Sequence, residues 1–171
     1  MLILNNSVIS AFCEMKQLQL LKQIIHSLKE KAAVPKAVRL EITYNEALRV
    51  IYIHEKEFDE KWILLLDHEN LKDYASRRGI HEGEAAVITL SKSYGATAVL
   101  DDFKAREVAR EEQVKLTGTL GLLRVGYEEC PIHTKNELAG VIRELRRIHF
   151  YLPEDAEEYL LEAEKEDMPR P

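Results

Sequence analysis

Two adjacent aspartates follow a short apolar run in AVLDDFKAR, residues 98–106. A helix beginning there needs one acid as a cap, which Asp101 or Asp102 supplies. The other is surplus, and neighbouring carboxylates repel unless solvent or a cation separates them. A hard divalent cation such as Mg²⁺ takes oxygen ligands of this kind. Glu41 is a second anomaly. At helical spacing Val38, Glu41, Ile42, Asn45 and Leu48 share a face, so this acid interrupts an apolar stripe. A carboxylate so placed sits at the core's edge, pairs with a cation, or binds a metal. Glu84 falls in the first turn of HEGEAAVI, where an acid suits the helix dipole. The tight apolar run after it, and the open backbone of Gly83, point it toward another element; Glu82 reads as its solvated neighbour. TGTLG, 117–121, places the hydroxyls of Thr117 and Thr119 at a helix start, which suits a phosphate oxygen, a water or a plain cap. LILNNS, 2–7, ends an apolar run on two amides, Asn5 and Asn6.

The elements that must carry these residues alternate almost from end to end. Strands are expected at 2–4, 32–35, 61–67, 96–100 and 113–117. Helices are expected from Ser7 to about residue 12, then over 14–31, 35–50 with Pro35 in its first turn, 68–78, 82–95, 102–112, 119–129, 134–147 and 153–166. Gly79 and Gly95 fit helix ends. The continuous apolar run KWILLLD suggests a strand buried on both faces. Strands separated by helices imply a mostly parallel sheet with helices on both sides, a three-layer α/β/α protein. Sites in such sheets lie beyond the carboxyl ends of the strands. That edge holds Asn5 and Asn6, Asp67, Asp101 and Asp102, and 117–119.

Composition narrows the classes. With 171 residues, 46% hydrophobic and 32% charged, the chain suits one domain with a helical tail. No apolar run nears the roughly 20 residues that span a bilayer, and the first residues lack a signal-peptide layout. Cys13 and Cys130 lack metal-type spacing, so a reducing cytoplasm is the default. A net charge of −6 opposes indiscriminate nucleic-acid binding, though not a local basic strip at Arg77 and Arg78, at Arg143, Arg146 and Arg147, or at Lys104 and Arg106. The six histidines show no paired spacing, and neither GxSxG nor GxxxxGK[ST] occurs. Acids from three distant segments, with amides and threonines, suit hard-metal chemistry on phosphate esters, without a covalent protein nucleophile. A phosphoacceptor receiver domain also pairs aspartates at strand ends, but its pair follows the first strand, where this chain has Asn5 and Asn6.

LNNSVIS, VPKAVRLEI, GEAAVITL, VLDDFKAREVA, LTGTLGLL and the ending RELRRIHFYLPEDAEEYLLE resemble a PIN-domain protein over nearly the whole chain. The resemblance is to a prokaryotic subgroup of nucleic-acid-binding PIN proteins related to the ribonuclease toxins of toxin–antitoxin pairs. It implies a PIN-like domain over 1–150, with a C-terminal helix and frayed tail over 151–171. It also implies an acidic site for Mg²⁺ or Mn²⁺, cleavage of single-stranded RNA through a metal-activated water, a homodimer, and an antitoxin protein as a partner. By position, the family's acids fall on Asn5, Glu41, Glu84 and Asp102 or Asp101, and its hydroxyl on Thr117 or Thr119. The implied metal ligands are Glu41, Glu84, Asp101 and Asp102. Asn5 would be a neutral ligand or water-positioner, and Thr119 would orient water or phosphate. An amide at Asn5 removes one negative charge, so a weakened RNA- or protein-binding module is the alternative to an active ribonuclease.

Overall fold

A computed structural model describes residues 1–43, 62–129 and 131–161. Five strands, β1 (Leu2–Leu4), β2 (Ala32–Pro35), β3 (Ile63–Leu66), β4 (Thr97–Val99) and β5 (Leu116–Thr117), form one parallel sheet in the order β3-β2-β1-β4-β5. The helices among the described residues are α1 (Asn6–Glu14), α2 (Leu18–Ser27), α3 (Lys36–Thr43), α4 (Lys72–Arg78), α5 (Glu82–Tyr94), α6 (Phe103–Glu111), α7 (Thr119–Glu128), α8 (Lys135–Arg147) and α9 (Ala156–Leu161). This is the three-layer α/β/α arrangement.

The core follows from which faces are covered. β1 is central, and Ile3 and Leu4 are wholly buried. Each such side chain contributes about 1.5–3 kcal/mol by leaving water. Helix α5 lies on β1, β2 and β4, so Ala85, Ala86, Val87 and Ile88 vanish from the surface. On the other side α2 packs against α7, where a Cβ at Gly126 would stand 2.9 Å from the Ile24 side chain. Gly79 (φ 66°) and Gly95 (φ 60°) end α4 and α5 in the left-handed region that glycine reaches without strain.

Several boundaries move. Asn5, rather than Ser7, precedes the first helix, and that helix runs on to Glu14. Pro35 closes β2 opposite Leu66, so α3 begins one residue later than expected. β3 is an edge strand, which leaves Leu64, Leu65 and Leu66 only half-buried, against the expectation of burial on both faces. The expected helices over 68–78 and 14–31 shorten to α4 and α2, and the last strand to Leu116–Thr117. Asn45 and Leu48 of the Glu41 stripe, Cys130, and residues 162–171 lie outside the described residues.

The strand order sets up the site. From β1 the chain moves outward to β2 and β3 on one side, and later to β4 and β5 on the other. The connections leaving β1 and β4 diverge, which opens a crevice at their carboxyl ends. Register aligns Leu4 with Val99, and the Asn5 backbone N–H donates to the Val99 carbonyl at 3.1 Å. Asn5 and 100–102 therefore flank that crevice.

Candidate functional site

Asn5 precedes α1 in extended geometry, its side chain making no cap hydrogen bond, and it is only 6% exposed. Gly83, at the start of α5, explains how its neighbours come so near. A Cβ there would stand 3.2 Å from Glu41 Oε1, 3.2 Å from Val38 Cγ2 and 3.7 Å from Asn5 Oδ1. Glycine thus lets α3 and the end of β1 close on the first turn of α5. Asn5 and Glu41, far apart in sequence, meet there, one residue before Glu84.

Glu41 keeps contact with solvent, but its carboxyl group leans into the crevice. Burial raises its pKa most, and His81 opposes the shift. Glu84 raises it further, and an amide hydrogen bond from Asn6 lowers it. Glu84 is 6% exposed, and its Oε2 accepts the His81 backbone N–H at 2.9 Å, the side-chain half of a capping box. Its pKa is also raised, chiefly by burial, with the His81 N–H opposing and Asp102 adding to the shift. Glu84 thus lies within electrostatic reach of both Glu41 and Asp102.

The adjacent aspartates divide their work. Asp102 is exposed, and its Oδ1 caps α6 by accepting the Ala105 N–H at 2.8 Å. Asp101 turns inward: Oδ1 accepts the Thr119 N–H and Oδ2 the Thr119 hydroxyl, each at 2.8 Å. Burial raises its pKa, against the Thr119 hydrogen bonds and the nearby Arg106 and Ser7. Thr119 is fully buried, so its hydroxyl serves this bridge. Gly118 makes the bridge fit, because a Cβ there would lie 2.8 Å from Asp101 Oδ1.

Asn6, His81 and Arg106 take parts in the site that their types and spacing do not announce. Asn6 donates to Glu41, while its Oδ1 is buried without a hydrogen-bond partner. His81 was one of six histidines without paired spacing, yet it lies near enough to both glutamates to oppose the rise of their pKa values. Its place just before Gly83 and Glu84 was the available signal. Arg106, with Lys104 a candidate for a basic strip or a plain solvated helix face, instead folds in and donates from Nη1 to Leu100 O at 2.7 Å and Thr117 O at 3.1 Å. It ties the ends of β4 and β5 together. Asp67 stays apart, exposed and paired with Lys36.

The donors are all hard oxygens, and Asn6, which bonds to Glu41, keeps a buried Oδ1 without a partner, which suits Mg²⁺ or Mn²⁺ in chemistry and charge. As placed, no three His, Cys, Asp or Glu side chains among the described residues stand close enough to hold an ion.

A parallel sheet ordered 3-2-1-4-5, with acids and amides on the edge where that order reverses, defines an α/β/α protein with its crevice at the carboxyl ends of β1 and β4. The chain belongs to the PIN-domain family DUF3368, whose family model matches residues 1–166. Neither the curated proteins nor the solved structures gave a match. Among the described residues no helix is long and apolar enough to cross a membrane.

Proposed function

We propose that the protein is a metal-dependent endoribonuclease that hydrolyses phosphodiester bonds of single-stranded RNA in the cytoplasm. The observation that carries this reading is the meeting of Asn5 and Glu41 at Gly83, with Glu84 in electrostatic reach of both Glu41 and Asp102, in a chain of PIN descent. Glu41, Glu84 and Asp102 would hold Mg²⁺ or Mn²⁺, with Asn5 lending a neutral amide oxygen. Bound there, the cation supplies charge against the phosphate oxygens and acidifies a water. Asp101 acts behind them: by fixing the Thr119 amide and hydroxyl it sets the start of α7 against the site. Arg106 holds the two strand ends on which Asp102 and Thr119 stand. A toxin role with an antitoxin protein, and a homodimer, extend the same reading from the resemblance.

Asn5 favours a second reading. With an amide at that position the site carries one charge fewer, and the chain would bind RNA or a protein partner with little turnover. One experiment separates the two. Mn²⁺ and Mg²⁺ are titrated while cleavage of a labelled single-stranded RNA is followed, with Glu84→Gln as control. Metal-dependent cleavage that disappears in the control supports the enzyme. No cleavage and no heat of metal binding would sink it.

A further inference from the structure

Four large apolar or aromatic side chains are prominently exposed among the described residues, and three of them, Phe103, Tyr151 and Tyr159, line a single cleft. The cleft measures about 850 Å³ and includes Asp101 and Asp102. Phe103 follows Asp102 directly and is 72% exposed, and Tyr151, on the segment after α8, is 86% exposed. Half-buried Phe150, Leu116 and Leu120 complete the apolar wall. The Tyr159 ring already carries the Arg124 guanidinium at 4.9 Å, which leaves Phe103 and Tyr151 as the open aromatic faces.

We propose that this cleft is a nucleobase subsite, in which unpaired bases of the RNA strand stack on Phe103 and Tyr151 next to Asp102. The proposal rests on the ribonuclease reading above. Charge decides the binding mode. Arg106 is the one basic residue of the described lining, and its guanidinium is engaged with two carbonyls, while Asp101, Asp102 and Asp155 are acidic. Duplex nucleic acid is gripped largely through phosphates by Lys and Arg, and its bases are hidden. This wall offers little to phosphates. An unpaired base presents a π-face that an exposed aromatic ring can take regardless of sequence. The three carboxylates repel the strand's phosphates, so the affinity this cleft supplies comes from stacking, and added salt, which screens that repulsion, costs it little.

The test is fluorescence anisotropy with a labelled, unstructured 12-nucleotide RNA and the matching blunt duplex, in Ca²⁺ buffer at several salt concentrations. Phe103→Ala and Tyr151→Ala should each weaken single-strand binding by roughly 5- to 100-fold. Both side chains are exposed, so thermal midpoints should hold, and Phe103→Trp should keep binding. The slope of log affinity against log salt should be shallower than about −1.5, corresponding to two phosphates or fewer. Unchanged affinity in both alanine variants overturns the proposal, as do equal duplex binding, a steep salt slope, or no binding by the unmodified protein. The two readings fail separately. Phe103-dependent binding without Mn²⁺-dependent cleavage would refute the nuclease and leave the subsite standing. Cleavage indifferent to Phe103 and Tyr151 would do the reverse.

Discussion

Replacing Asn5 by aspartate should destabilise the metal-free protein and strengthen its hold on a divalent cation. Asn5 Oδ1 and Glu41 Oε1 lie 3.7 and 3.2 Å from one point above Gly83, so they are no more than about 7 Å apart. A charge added at that distance repels Glu41 by about 2.4 kcal/mol at an effective dielectric of 20, and by about 0.6 kcal/mol in bulk water. Buried Glu84 adds to the repulsion. In EDTA at pH 8 we expect a loss of about 1–2 kcal/mol, or roughly 2–8 °C of thermal midpoint in a chain of this size. Against a divalent ion the same charge is attractive. Mn²⁺ affinity measured by calorimetry should rise by roughly 1–3 kcal/mol, about 5- to 150-fold. RNA cleavage should rise with it. An unchanged midpoint in EDTA together with unchanged Mn²⁺ affinity would show that Asn5 does not share an electrostatic site with the glutamates.

Gly118→Ala places a methyl group 2.8 Å from Asp101 Oδ1, 2.9 Å from Arg106 Nη1 and 3.0 Å from the Leu100 carbonyl. Its extended φ of −148° is open to any residue, so the cost is steric and should reach about 1–3 kcal/mol by urea unfolding. A neutral variant would mean that Asp101 and Arg106 can retreat. The pKa values of Glu41, Glu84 and Asp101 are raised above their ordinary 4.5, 4.5 and 3.8. The folded chain therefore binds protons more readily than the unfolded one. The stability so gained is full below about pH 4 and is lost as pH rises through the folded values. Mn²⁺ should accordingly raise the thermal midpoint more at pH 7 than at pH 5, and a larger rise at pH 5 would contradict the assignment.

Where periodicity was strong and local, the sequence carried the fold. The apolar run of α5 and the left-handed stops at Gly79 and Gly95 stand as read. Edge effects were not legible, because the apolar run of β3 is the same whether one neighbour covers it or two. The site followed the same division. Adjacent carboxylates after β4 announced themselves, and Gly83 hinted at a close approach. Which aspartate turns inward depended on Thr119, some 18 residues on, and on the carbonyls that claim Arg106. Asn6 was hidden for a related reason: of two neighbouring amides, only tertiary packing decides which one reaches Glu41.

The pairing of β1 with β4 also has a consequence for the order of assembly. Leu2 is aligned with Thr97, across a separation longer than that of any other strand pair in the sheet. Closing so long a loop carries an entropic cost that local contacts cannot repay, so this step belongs late in folding. A chain emerging from the ribosome can build β1, β2 and the helices between them early. It gains the crevice only once β4 has emerged and docked beside the first strand. The centre is thus withheld from the nascent polypeptide until β4 has been translated.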